Sequence, residues 1–273
     1  MMKNTPFIFW RSIFQNDQKD SYIECLRLLE GKTNRCIVTF RQIGNGLEML
    51  PELVSIAKGY GITLEGGLEL EYAWLPHESQ KVTWSTLWRT PRWLSIAENA
   101  KKIANIAGIK QVTIVQEPVT DGYLNGEPID WDQVQLCYRI LYEYGINPRF
   151  ENPVIWADEP GKNYRSMTER YIKVMAKSFG WGQYNVRSSA TWACSYAHNP
   201  ATATELMAKH KKIVGPSRFH ERIFAHVAPA EHFEWDMDKT NAYIANNKGT
   251  PPVIYPTYKG EYDGTQVCEA LYG

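Results

Sequence analysis

The chain has 273 residues, and its 30 basic and 30 acidic side chains cancel. This neutrality supplies no electrostatic footprint for nucleic acid or an anionic membrane surface, and the length suits one α/β barrel core. No stretch reaches the roughly 18 apolar residues of a membrane span, and the amino-terminal residues lack the apolar run and cleavage site of a secretory leader, so the expected location is cytoplasmic, or outside the cell after release without a classical signal peptide, as by lysis for a phage enzyme.

Strand-like and helix-like segments alternate almost throughout. A first strand is expected over 7–13, and Cys25, Leu26 and Leu29 then recur at helical spacing. A second strand over 36–43 leads to a helix through Leu50, Leu53, Val54 and Ala57, and a third strand over 62–68 follows. The stretch 71–90, with Trp74, Trp84 and Trp88, is inserted before a helix marked by Ile96, Ala100, Ile103 and Ala107. Long loops after barrel strands tend to cover active sites. Strands over 112–116 and 146–150 flank a helix with Val134, Cys137 and Leu141. Further strands are expected over 184–189, 223–228 and 252–255, with helices marked by Met167, Tyr171 and Val174, by Leu206, His210 and Ile213, and by Met237, Asn241 and Ile244. Gly61, Gly108, Gly145 and Gly180 each stand between a helix end and the next strand, where a left-handed residue is needed.

Eight βα repeats of this kind predict a single (β/α)8 barrel domain over 1–273, class α/β, with a long loop after strand three and an abbreviated last helix. An open doubly wound sheet is the competing fold, but no glycine-rich phosphate fingerprint follows the first strand. The five cysteines have no metal-binding spacing and read as reduced, buried residues. Ten Trp and sixteen Tyr against nine Phe form an aromatic set that suits amphipathic ligands such as sugars as well as cores.

In such a barrel the carboxyl ends of the strands converge on one mouth, where chemistry is found. The expected rim comprises Trp10 and Arg11, Arg41, Glu65, Gln116 and Glu117, Glu151 and Asn152 with Trp156, Arg187 with Trp192, His226, and Tyr255 with Tyr258. Three glutamates on neighbouring strands are the feature that carries chemistry. Glycoside cleavage needs one carboxylic acid to protonate the leaving oxygen and one carboxylate to attack or to activate water. With strands about 4.8 Å apart, Glu117 and Glu151 suit the roughly 5–5.5 Å of a retaining pair, whereas Glu65 and Glu151 suit the roughly 6.5–9.5 Å of an inverting pair. The same glutamates can instead serve as structural partners of Arg41 and Arg187.

The segment Val-Thr-Ile-Val-Gln-Glu117-Pro resembles the fourth-strand ending of a large clan of (β/α)8-barrel glycoside hydrolases. The resemblance implies Glu117 as acid/base and Gln116 in the place of an asparagine that orients the sugar. That clan takes its nucleophile from a glutamate ending strand seven, where this chain has His226, with Glu221 before it and Glu231 after it.

The expected activity is therefore hydrolysis of an oligo- or polysaccharide by Glu117 with Glu151 or Glu65, without a cofactor. Trp10, Arg41, Gln116, Asn152, Trp156, Arg187, Trp192, His226 and Tyr255 would hold the carbohydrate. Two alternatives stand beside it. Glu117, Glu151 and His226 could bind a divalent metal, as in barrel sugar isomerases and epimerases, although no HxH, HxxE or DxD pair accompanies them. A catalytically inactive barrel that binds carbohydrate through its aromatic residues is the other.

Overall fold

The computed structural model describes residues 7–13, 18–40, 43–70, 88–115, 130–151, 187–191, 208, 211–212, 219–225, 237–247, 251–256 and 264–271. Eight strands alternate with helices along them: β1 (Ile8–Ile13), α1 (Gln18–Leu28), β2 (Arg35–Phe40), α2 (Ile43–Gly59), β3 (Thr63–Glu69), α3 (Thr90–Ala107), β4 (Gln111–Val115), α4 (Trp131–Glu143), β5 (Asn147–Glu151), β6 (Arg187–Thr191), β7 (Phe219–Ala225), α5 (Met237–Asn246), β8 (Val253–Pro256) and α6 (Gly264–Ala270). The strands close in sequence order, every neighbour parallel, with β8 returning to β1 through Ile8↔Val253 and Phe9↔Ile254. The protein is a (β/α)8 barrel.

Strands β1 to β4 and β8 are buried on both faces, as a parallel sheet wrapped in helices must be. One alternation faces the barrel axis, where Ile8, Trp10, Ile37, Val115, Val253 and Tyr255 form an inner cluster. The other faces the helices: Phe9, Val38, Phe40, Leu64, Leu68, Val112 and Ile114 join Leu26, Leu50, Leu53, Ile96, Ile103 and Leu141 in the outer core. Arg11 belongs to this outer alternation, and its guanidinium donates to Ser21 Oγ at 2.8 Å and Cys25 Sγ at 3.6 Å beneath α1. Cys25, Cys36, Cys137 and Cys268 are free and buried.

Local chemistry sets the element ends. Pro91 opens α3, and Gly108 ends it at φ 69°, returning the chain to β4. Asp130 caps α4 by accepting from the Asp132 and Gln133 amides at 3.1 and 3.0 Å. Gly61 and Gly145 have positive φ as expected, while Gly180 lies outside the described residues.

Four boundaries differ from the sequence reading. β2 stops at Phe40 because Ile43 already begins α2, so the apolar residue that extended the expected strand is a helix residue. β3 ends at Glu69, one residue beyond the expected end. β6 runs on to Thr191 and β7 already begins at Phe219, which puts Glu221 within β7, opposite Ala190. Trp88 is not a rim aromatic. It is 5% exposed and stacks on Trp93 at 5.0 Å, both edge-on to Tyr138, so it fastens α3 to α4. Trp74 and Trp84 lie outside the described residues, as do the expected helix of Met167, Tyr171 and Val174 and the residues Leu206, His210 and Ile213. The last helix, α6, is abbreviated to 7 residues. No helix among the described residues is long and apolar enough to cross a membrane.

Candidate functional site

The axis-facing positions divide into two unlike sets along the barrel. At the amino-terminal end, register pairs Ile37 with Glu65, and Thr113 with Gly67 and Arg149. Glu65 is fully buried and accepts from Arg149 Nε at 2.8 Å and Nη2 at 3.1 Å, from Arg35 Nη2 at 2.7 Å and from the Thr113 hydroxyl. Burial alone pushes this carboxyl up, but the Arg149 and Arg35 guanidiniums beside it and the Arg149 and Thr113 hydrogen bonds outweigh that and hold it down to about 2. For the 0% exposed Arg149, desolvation disfavours the charge and Glu65 restores it, and an arginine stays protonated throughout. A carboxylate so deep and so fully answered has no free lone pair for a substrate.

Glu65 is therefore corrected from a rim carboxylate to a structural one. It is the third residue of β3, and the carboxyl end of that strand belongs to Glu69. Arg187 is corrected likewise: it opens β6 opposite Arg149, at the amino-terminal end of the barrel. Trp10 does face the axis, but at 1% exposure it offers no open face for a sugar, and it packs edge-on against Tyr255 with centroids 5.3 Å apart.

At the carboxyl-terminal end a chain of hydroxyl groups leads to Glu69. Thr39 Oγ1 donates to Glu69 Oε1 at 2.9 Å, and the Trp10 indole N–H donates to Thr39 at 3.1 Å. Ser12 Oγ lies 2.8 Å from Thr39 Oγ1, and the Tyr255 hydroxyl donates to Ser12 at 3.1 Å. Because Thr39 spends its single proton on the carboxylate, Ser12 must donate to Thr39, so every link from Tyr255 through Ser12 and Thr39 runs toward Glu69. A donor aimed at a carboxylate oxygen favours the ionised form and fixes its direction, and aligned donors reinforce one another. Glu69 is 5% exposed.

The register also relates Glu69 to the next carboxylate position. Glu69 pairs with Val115, and Val115 pairs with Glu151, so positions 69 and 151 end their strands two strands apart on one register line. Gly67, between Glu65 and Glu69, supplies the room: a Cβ there would lie 2.6 Å from the Thr113 carbonyl oxygen and 2.8 Å from Thr39 Cγ2. Ser12, Thr39 and Glu69 went unread in the sequence. The signal for Glu69 was the Gly66-Gly67 pair, since glycine inside a strand marks close approach of other atoms and need not end the strand.

Of the remaining expected residues, Arg41, Gln116, Glu117, Asn152, Trp156, Trp192 and His226 lie outside the described residues. Tyr255 stands at the start of the hydroxyl chain. Among the described residues no three His, Cys, Asp or Glu side chains gather closely enough to hold a metal ion.

No family model matches the chain, and no curated protein matches it. Solved structures do share its fold. A GH18 chitinase from Pseudoalteromonas aurantia is 9% identical at a TM-score of 0.57, covering 96% of this chain and 98% of its own. A β-mannanase from Thermomonospora fusca is 13% identical at 0.56, with 96% and 82% covered. A sugar phosphate isomerase/epimerase from Parabacteroides distasonis is 10% identical at 0.54, with 99% and 93% covered. At these identities the likeness is one of fold, and barrels with different chemistry share it.

Proposed function

We propose that this barrel is a glycoside hydrolase acting on an oligo- or polysaccharide at the carboxyl-terminal end of its strands, with Glu69 taking the part that the sequence assigned to Glu65. The observation that carries the reading is the directed chain from Tyr255 to Glu69, which holds one carboxylate in place where barrel catalysis occurs. Glu69 is the base: its oxygen opposite Thr39 takes a proton from water as that water attacks the anomeric carbon. Glu117, two residues beyond Val115 in sequence, is the acid that protonates the departing oxygen. Glu151 adds a second negative charge that favours the protonated form of that acid. The glycoside hydrolases among the fold neighbours support a carbohydrate substrate.

The test is release of reducing ends from a panel of polysaccharides, alongside turnover of aryl glycosides. Glu69→Gln and Glu117→Gln should each lower turnover by at least about 100-fold with the fold retained, as expected for a lost positioned acid or base. Undiminished turnover by Glu69→Gln would remove the assignment of the base. The isomerase/epimerase neighbour favours a second reading, metal-dependent isomerisation of a sugar. Activity abolished by a chelator and restored by a divalent ion would select that reading.

A further inference from the structure

The barrel has a second mouth, where the helices return to the strands. A cleft of about 440 Å³ opens there, lined by Asn34, Arg35, Thr63, Lys110, Gln111 and Asn147, with Ile109 as its apolar member. Arg35, Thr63, Gln111 and Asn147 are the first residues of β2, β3, β4 and β5, so four consecutive strands build the floor. Behind it, Arg35 and Arg149 share the single carboxylate of Glu65, which leaves that cluster one positive charge in excess. Lys110 adds another, and it has no ion-pair partner among the described residues. Arg35 Nε and Arg149 Nη1 are also buried donors with no acceptor among the described residues, so the positive side of the cluster is incompletely answered there.

The carboxyl ends of α2, α3 and α4 surround this mouth and would ordinarily repel an anion. Their last carbonyls are engaged, however, by Ile62 N–H on Ala57 O at 2.8 Å, Ile109 N–H on Ala104 O at 3.2 Å and Ile146 N–H on Leu141 O at 3.2 Å. What faces the cleft is thus a guanidinium, an ammonium, three side-chain amides and a hydroxyl. This combination suits a compact oxyanion: Arg35 offers its remaining guanidinium N–H groups, Lys110 a mobile point charge, and the neutral groups additional donors.

We propose that the amino-terminal mouth is a binding site for a small oxyanion, a phosphate group above all, separate from the site at the carboxyl-terminal end. The test is calorimetric titration of the whole protein with inorganic phosphate at constant ionic strength, with chloride as the control. Saturable binding is expected, with a matching rise in Tm, because a ligand bound only by the folded state stabilises it. Lys110 is exposed, so Lys110→Glu should fold normally and bind phosphate at least about tenfold more weakly, the scale of a lost charge-assisted hydrogen bond. Absence of saturable heat in the wild type, or unchanged affinity in Lys110→Glu, would overturn the proposal. Both measurements are independent of any glycoside turnover.

Discussion

The two ends of the barrel interior use the same residue type in opposite ways. Glu65 and Glu69 are separated by two periods of the strand alternation, and both face the axis. The first is enclosed by two guanidiniums and a hydroxyl, and its charge is spent on holding four strands together. The second accepts from the hydroxyl of Thr39, the last link of a hydroxyl chain. A carboxylate gripped by cations resists both protonation and displacement, whereas a neutral hydroxyl donor fixes a carboxylate's direction without neutralising its charge. Residue type therefore says little about role, and the character of the neighbouring donors says much.

This contrast can be broken at several points. Glu65→Gln leaves Arg149 charged and buried, so it should cost about 3–5 kcal/mol in urea unfolding. A loss under about 1 kcal/mol would show that the lower pair is not structural. The pH dependence should follow the same group. Its folded value of about 2 lies below the ordinary 4.5, so ionised Glu65 contributes full stability above about pH 4.5 and loses it as pH falls toward 2. The shift corresponds to about 3 kcal/mol, and Glu65→Gln should flatten that part of the profile. At the upper end, Thr39→Val should lower turnover about tenfold by releasing Glu69, with Thr39→Ser restoring most of it because the donor survives. Tyr255→Phe removes only the outermost donor, and a change of two- to threefold is the expected scale.

The architecture was legible because its causes are local. Apolar runs bounded by glycines at positions 61, 108 and 145 report strands and left-handed helix ends directly, and all eight strands were found. The candidate site was less legible, because height within a barrel depends on where each strand starts. Ending β3 at Leu68 left Glu65 as its last polar residue and put Glu69 just outside it, although Gly66 and Gly67 let Ile103 and Thr113 approach a strand that runs one residue further. Arg187, read as a rim residue, instead pairs with Arg149. The roles of Ser12 and Thr39 carry no sequence signature at all, since small hydroxyl residues are frequent and only the register brings these two within 2.8 Å.

The hydroxyl chain crosses the seam at which β8 joins β1, so its first and last members are separated by most of the polypeptide. While the protein emerges from the ribosome, the first three strands can pair long before Tyr255 exists. The relay behind Glu69 is thus completed only when the final strand is laid in place, and a nascent barrel lacking that strand would hold the acidic group through Thr39 alone, without the outermost donor.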